Sequence, residues 1–437
     1  MLKTRHYPAI DGLVPRYRGD LPPDALARRM DRALDAFTLL EAVGIARPQR
    51  PALIPSADGP IRRLLFTIPA YATAEPIMAA AYQRLFQTLP ADAGLVILAQ
   101  AAAESTVQQW LTAAGRQDRA EVSTFDDTLR ISVWAEDGYV VAKDGVTGHT
   151  YFVEPYAFPR YADGLVADFV THFTNLRTTQ APLYFQGGNV LIGDDFLLLG
   201  ADYPANTLDY IRRGVLQPPA GTTPQEFVRI LYSEYLDKTR RLLYVGSRVP
   251  VPEEQSRPVT INGTQWTETI CAGNNPGTVQ PLFHIDMFIT LIGRAAPGRP
   301  YRALVGDPSR AFAILGGRTP AHAMQRVYDD IATQLELAGL EVIRNPLPLV
   351  YLDDEANRER VWYFATSNNA LVQNAPSKEV WLPTYGHGNW TELQATDDAN
   401  ARIWQDLGFE VHRLGDFHPF AENLGAVHCI KKYLDRG

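Results

Sequence analysis

Short apolar runs alternate with amphipathic stretches along most of this 437-residue chain. Runs such as LLFTIP (64–69) and GLVILAQ (94–100) are bounded by turn residues, which is typical of buried strands. Apolar residues at helical spacing predict helices at 75–87 and 104–114, next to these strands. The pattern therefore predicts an α/β fold.

The same order of two strands, a helix and a strand returns about five times without a literal sequence repeat. The further strand pairs are predicted at 131–144, 183–203, 283–293 and 361–386, and the further helices at 224–236, 321–338 and 397–407. In each unit a polar group interrupts an apolar strand region. Because a buried polar group without a partner is costly, one such group per unit predicts that they all point to a common place.

Composition narrows the class of protein. Hydrophobic residues make up 46% and charged residues 21% of the chain, which is typical of a folded globular protein. The net charge is −8 and no Lys/Arg block is present, so we expect no nucleic-acid partner. Two cysteines cannot form a disulfide framework. Oligomeric state leaves no signal in the pattern.

The N-terminal segment carries no apolar core of a secretory signal, and the apolar runs elsewhere are too short to span a bilayer. We therefore expect no membrane association and a cytoplasmic location, although export routes that use no signal leave no such mark. Residues 1–60 are rich in Pro and Arg, with a helix expected at 24–42. We predict an N-terminal extension at residues 1–60 and one large domain at residues 61–437.

Three residue patterns suggest a polar site. His284 and Asp286 have two-residue spacing, which on a strand places an imidazole and a carboxylate on one face, although such triplets also arise by chance. Asp137 ends the run W-A-E-D that starts at Trp134, and it could equally be the first residue of an Asp-Gly hairpin turn. Gly187-Gly188-Asn189 would let the backbone approach a ligand closely, or would form a bulge or turn.

Cys429 lies in the apolar C-terminal segment LGAVHCIKKYL (424–434). It could be a buried small hydrophobe, since free cysteine is among the most buried residue types, or it could be a nucleophile activated by an imidazole such as His284. Cys271, in TETICAGNNPG, fits the structural interpretation better.

Taken in order along the chain, several motifs resemble the guanidino-group-modifying enzymes, the pentein superfamily that includes peptidylarginine deiminases and agmatine deiminases. The motifs are W-A-E-D (134–137), G-G-N (187–189), H-I-D-M-F (284–288), N-N-A-L-V (368–372), V-W-L-P-T-Y-G (380–386) and G-A-V-H-C (425–429). The resemblance covers about residues 60–437 and makes that range a pentein-type catalytic domain.

The resemblance implies a five-bladed α/β propeller of ββαβ units and a hydrolase that deiminates an arginine-type guanidino group. Cys429 would be the nucleophile of a covalent thiouronium intermediate and His284 the general acid and base. Asp137 and Asp286 would hold the guanidinium, and the products would be a ureido group (citrulline) and ammonia. Gly187, Gly188, Asn189 and Trp134 would line the substrate site. No metal or organic cofactor is implied.

The chain departs from both groups of relatives at two motifs. In agmatine deiminases the first motif resembles W-x-R-D-x-G-P. This chain has Glu136 at the Arg position of that motif and no Gly-Pro after it. Peptidylarginine deiminases resemble it more closely there, so a peptidyl-arginine substrate is favoured. Lys431 and Lys432 in the last motif match neither group. An agmatine or free-arginine deiminase, an amidinotransferase and a non-catalytic guanidino-binding protein stay open as alternatives.

Overall fold

The computed structural model describes residues 47–160 and 162–437, together with the isolated positions 32, 34–36 and 39. These isolated positions are helical, but most of the helix expected at 24–42 lies outside the described residues. Within the described part of the chain, none of the helices combines the length and apolar character needed to cross a membrane.

Strands alternate with helices through the described residues, which confirms the α/β class. The strands are β1 (Pro51–Leu53), β2 (Ile61–Ile68), β3 (Gly94–Gln100), β4 (Ala120–Phe125), β5 (Val140–Asp144), β6 (Thr150–Pro155), β7 (Arg177–Ala181), β8 (Val190–Ile192), β9 (Phe196–Gly200), β10 (Arg241–Val245), β11 (Gln255–Ile261), β12 (Thr264–Ile270), β13 (Ile289–Arg294), β14 (Tyr301–Asp307), β15 (Glu341–Pro346), β16 (Leu349–Asp354), β17 (Glu359–Phe364), β18 (Leu371–Gln373), β19 (Glu379–Thr384), β20 (Glu410–Asp416) and β21 (Lys432–Arg436). The helices are α1 (Ala70–Ala74), α2 (Pro76–Thr88), α3 (Glu104–Ala113), α4 (Val166–Thr171), α5 (Asp202–Arg212), α6 (Pro224–Tyr235), α7 (Pro308–Ile314), α8 (Gln325–Leu337), α9 (Gln394–Asp406) and α10 (His418–Ala421).

Five of the sheets formed by the described strands share one pattern, in which an antiparallel pair is extended by a parallel strand that follows a helix. Three are β8-β9-β10, β13-β14-β15 and β18-β19-β20. The fourth is β5-β6-β7 with β1 added, and the fifth is β21-β2-β3 with β4 added. A further sheet, β11-β12-β17-β16, lies outside this pattern. The arrangement of the five units as propeller blades stays a prediction.

The central strands β2 and β3 are buried along most of their length. A strand buried on both faces needs apolar residues at every position, which explains why LLFTIP and GLVILAQ are continuous apolar runs instead of alternating ones. Phe66 of β2 packs edge to face on Phe86 of α2, with ring centroids 5.3 Å apart. Helix α2 therefore covers one face of this sheet.

Three expected strand regions are wrong in the same way. Of the two strands expected in 131–144, only Val140–Asp144 forms, and turns occupy most of the preceding residues. Ile285–Met287 forms a 3-10 turn before β13. The strand expected at 183–186 is absent, and the Gly-Gly-Asn group expected to follow it forms a 3-10 turn at Gly187–Asn189, before β8. The polar residues lie in these turns because the turn backbone bonds to them, as when Asn189 Oδ1 accepts from the Ile285 N–H at 3.2 Å. The strands themselves thereby stay apolar.

The C-terminal strand pairs with a strand near the beginning of the described chain. β21 pairs antiparallel with β2, and the buried Arg436 guanidinium donates to five backbone carbonyls: those of Ser56 at 3.0 Å, Ala57 at 3.0 Å, Asp58 at 3.4 Å, Gly59 at 2.8 Å and Val372 at 2.6 Å. Strand β1 pairs with β5 although it lies on the N-terminal side of the boundary drawn at residue 60. The division into an extension and a domain stays a prediction.

We expect Arg436→Met to lower the free energy of unfolding by about 3 kcal/mol, because five backbone carbonyls, three of them in buried bonds, lose a charged donor. The midpoint of urea unfolding measures this. Arg62→Met is the matched control, since Arg62 forms an exposed ion pair with Asp92 and its loss should cost less than about 1 kcal/mol. Equal midpoints for the two variants would contradict the importance of these Arg436 contacts.

Candidate active site

The polar groups of the five units occupy equivalent places in the fold. Each lies directly before the first strand of its unit. They are Asp137 before β5, Gly187–Asn189 before β8, His284 and Asp286 before β13, Asn369 before β18, and Cys429 before β21. The side chains come together although the first and the last lie 292 positions apart along the chain.

The four residues expected to carry chemistry are neighbours. Cys429 Sγ lies 3.6 Å from Asp286 Oδ2. His284 Nδ1 lies 3.6 Å from Asp137 Oδ1. All four side chains are buried, at 3% exposure or less. His284 and Asp286 converge through the turn at Ile285–Met287, and the strand alternation that predicted their shared face is absent there.

Asn369 holds the segment that carries the thiol. Its Oδ1 accepts from the backbone N–H of Ala426 at 3.0 Å and of Cys429 at 3.1 Å, and its Nδ2 donates to Cys429 Sγ at 3.1 Å. A single buried amide thus orients both the backbone and the sulfur of Cys429.

Three buried polar atoms in this site have no hydrogen-bond partner among the described residues: Asp137 Oδ1, His284 Nδ1 and Asp286 Oδ1. Two of them adjoin Gly188, because a Cβ atom there would lie 2.6 Å from His284 Nδ1 and 3.2 Å from Asp286 Oδ1, and Asp137 Oδ1 lies 3.6 Å from His284 Nδ1. Buried polar groups are rarely left without partners, so these three atoms are suited to a ligand that donates hydrogen bonds.

The second oxygen of each carboxylate is already engaged. Asp137 Oδ2 accepts from Arg160 Nη2 at 2.7 Å. Asp286 Oδ2 lies 2.8 Å from His428 Nδ1. Each carboxylate therefore presents one bound and one open oxygen.

The histidine at the centre of the site is a neutral base. His284 Nε2 lies 2.8 Å from Gln186 Oε1, which can only accept, so Nε2 carries the proton and Nδ1 is the acceptor. Burial lowers the pKa of His284 to about 3, against the opposing effect of Asp286. The open Nδ1 is thus available to accept a hydrogen bond.

Burial also controls the acids of the site. It raises the pKa of Asp137 to about 6, although Arg160 opposes the shift. Burial, together with the charges of Asp286 and Asp137, raises the pKa of the Cys429 thiol well above its ordinary value. The empty site therefore keeps the thiol protonated, and a cation placed between the carboxylates would favour the thiolate.

The two departures from the family motifs contact each other. Glu136 binds Lys431 Nζ at 2.9 Å and Lys432 Nζ at 2.8 Å, and all three side chains are buried. Burial alone would raise the pKa of Glu136, but the two lysines outweigh it and hold the pKa at about 2. An acid in the first motif is thus matched by two bases in the last.

The remaining residues predicted for the site make structural contacts. Asn189 Nδ2 donates to the Gly200 carbonyl at 3.1 Å, so this side chain positions backbone. Trp134 packs on Gly425, where a Cβ atom would lie 2.2 Å from the indole ring. Cys271 contacts the His322 carbonyl instead, and burial raises the pKa of its thiol to about 11.

Sequence reasoning missed Gln186 and Arg160 and assigned no role to Lys431 and Lys432. Adjacent lysines inside an apolar run were a usable signal, because buried lysines require an anionic partner. Arg160 had no such signal, since it lies in a segment that reads as an ordinary loop.

No protein-family model matches the chain, and no curated protein is similar to it in sequence. Solved structures do match. A structural-genomics target provisionally assigned as an agmatine deiminase superposes with a TM-score of 0.57 at 14% identity, covering 89% of this chain and 98% of that one. The agmatine deiminase of C. jejuni gives a TM-score of 0.55 at 11% identity, covering 88% and 96% of the two chains.

The chain has the fold of the agmatine deiminases. A cysteine-to-serine variant of the C. jejuni enzyme with substrate bound matches in the same way, with a TM-score of 0.53 at 10% identity over 88% of this chain and 96% of that one. The resemblance to the pentein superfamily that the motifs indicated is confirmed at the level of the fold.

Two neighbouring glycines should respond differently to alanine. A Cβ atom at Gly187 would lie 1.9 Å from the Glu136 carbonyl oxygen, which is fixed backbone, so we expect Gly187→Ala to lower the free energy of unfolding by about 3 kcal/mol or more. Gly188→Ala meets side-chain atoms and should cost about 1 kcal/mol. Urea unfolding of both variants measures the difference, and a larger loss at Gly188 would contradict the geometry.

Proposed function

We propose that the protein is a cysteine-dependent hydrolase that deiminates the guanidino group of an arginine-type substrate. The observation that carries the proposal is the set of three open atoms, Asp137 Oδ1, His284 Nδ1 and Asp286 Oδ1, beside a buried cysteine. All three act as acceptors. A guanidinium is planar, cationic and carries only donors, so it satisfies all of them at once.

The electrostatics favour reaction only when such a cation is bound. In the empty site the thiol of Cys429 is held protonated by burial and by two carboxylates. A guanidinium between Asp137 and Asp286 offsets those charges, which lowers the thiol pKa at the moment when an electrophilic carbon is in place. Substrate binding therefore promotes formation of the thiolate that attacks the substrate.

The reaction then follows in two halves. The thiol proton passes to His284 Nδ1, and Sγ bonds to the guanidinium carbon. His284 returns that proton to one amino group, so the C–N bond breaks and ammonia leaves, with a thiouronium left on Cys429. Water next adds to this carbon while His284 takes one of its protons. The C–S bond breaks, the hydroxyl proton restores the thiol, and a ureido product forms; the proton on His284 leaves with ammonia as ammonium.

We also propose that the five units surround a common axis as propeller blades. The support is positional: the site residue of every unit precedes that unit's first strand, and these residues contact one another. Blades around an axis would bring five equivalent strand ends to one place.

The substrate to test first is a peptidyl arginine, because residues 134–137 resemble the peptidylarginine deiminases more than the agmatine deiminases. Agmatine and free arginine belong in the same assay. Ammonia release without an added amine separates hydrolysis from amidino transfer, in which an amine takes the place of water.

Incubation with an arginyl peptide, agmatine and arginine should give a ureido product from at least one of them, seen by mass spectrometry together with ammonia. Cys429→Ala should abolish turnover and leave the fold intact, whereas the control Cys271→Ala should keep it. Full turnover by Cys429→Ala, or no turnover of any of the three substrates by the parent protein, would overturn the proposed function.

The pH dependence should report Asp137. Its pKa is raised to about 6 by burial, so the carboxyl loses its charge as the pH falls below that value and the cation loses one of its two anchors. Since kcat/KM follows the free enzyme, we expect it to fall on the acid side near that pH. Asp137→Asn should lower kcat/KM at neutral pH by at least about tenfold and remove this acid limb. An unchanged limb would assign the titration to another group.

A further inference from the structure

Arg160 bridges two carboxylates at the edge of the site. Its Nη2 donates to Asp137 Oδ2 at 2.7 Å and its Nε to Asp163 Oδ2 at 2.5 Å. Asp163 is itself fixed, because it accepts from the Ser132 backbone N–H and from the Ser132 hydroxyl, both at 2.6 Å. A chain of contacts thus runs from the backbone at Ser132 to one oxygen of Asp137.

We infer that Arg160 is a positioning residue for Asp137. Arg160 occupies Oδ2 of this carboxylate, so that an incoming guanidinium meets Oδ1 alone. The inference rests on the proposed function and deepens it. No motif in the sequence pointed to Arg160, and its guanidinium lies on the carboxylate assigned to the substrate.

The physical consequence concerns how the substrate is oriented. A free carboxylate accepts a guanidinium through both oxygens, as a fork on a fork. With Oδ2 of Asp137 held by Arg160 and Oδ2 of Asp286 held by His428, neither carboxylate offers two unengaged oxygens. The open oxygens therefore favour a substrate that spans the gap between the two carboxylates. This places its plane across the site, with its carbon between the carboxylates and beside Cys429.

Arg160 also opposes the neutralisation of Asp137. The other ionisable groups near this carboxyl are Glu136, Asp163, His284, Tyr139, Lys432 and Cys429. Burial disfavours the charged form, and Arg160 is the first of the groups that counteract it. Removing Arg160 should therefore make Asp137 harder to ionise as well as free to rotate.

The test compares the alkylation of Cys429 by chloroacetamidine, a cationic amidine, with alkylation by neutral iodoacetamide. Peptide mass mapping gives both alkylation rates across the pH range in which Asp137 titrates. The ratio of the two rates isolates the contribution of cation binding. The variants are Arg160→Met, which keeps an unbranched apolar side chain and loses the charge, and Arg160→Lys, which keeps the charge and loses the forked guanidinium. Arg62→Met is the control, since its ion pair is exposed and far along the chain.

We expect Arg160→Met to move the acid limb of this ratio to higher pH by about one unit, with Arg160→Lys restoring most of the shift. Arg62→Met should match the parent. A structural role alone would change both reagents equally and leave the ratio and its limb in place.

Three outcomes overturn the inference while leaving the proposed function intact. One is an unmoved limb in Arg160→Met. Another is a faster amidine reaction at every pH, which would make Arg160 a competitor for the site. A third is a slower amidine reaction without a shift, which would mean that Arg160 does not control the ionisation of Asp137. If the parent protein shows no preference for the cationic reagent at Cys429, the proposed function fails and the inference fails with it.

Discussion

Three carboxylates, those of Glu136, Asp137 and Asp286, are buried in the same small region as Cys429, and the structure around them follows from that constraint. A buried carboxylate is strongly unfavourable without a positive or hydrogen-bonding partner. Glu136 has two lysines, Asp137 has Arg160, and Asp286 has the imidazole of His428. The order of the site depends on these pairings.

The pairings connect distant parts of the chain. Glu136 and Lys431 are 295 positions apart, and Asp286 and His428 are 142 positions apart. Both partners from the C-terminal end arrive on the segment that β21 anchors against β2, where Arg436 binds the carbonyls of residues 56–59. Closure of the fold and assembly of the site therefore depend on the same C-terminal segment.

The pairings leave some polar atoms of the site without a partner in the described part of the chain. Asp137 and Asp286 each keep one oxygen without a hydrogen-bond partner among the described residues, and His284 keeps Nδ1, so open acceptors lie beside a protonated thiol. Under the proposed function, a planar cation would bind these acceptors and supply the electrostatic change that a buried cysteine needs.

Much of the fold and the identity of the four central residues could be predicted from the sequence. Apolar runs located β2 and β3, and a polar group in each unit marked Asp137, His284, Asp286 and Cys429, because burial leaves a local record in the order of apolar and polar residues. The motifs added the family. These signals are local, so they do not require knowledge of where a distant segment lies.

Only the tertiary structure decided which residues are partners and how the site is oriented. The H-x-D spacing predicted a strand, yet the turn at Ile285–Met287 brings the two side chains together. The lysines at 431 and 432 looked like a departure from the family until Glu136 proved to lie between them. No sequence signal indicated Arg160. The sequence determines which side chains must be buried, but a charged side chain is assigned its partner only where the folded backbone brings two segments together.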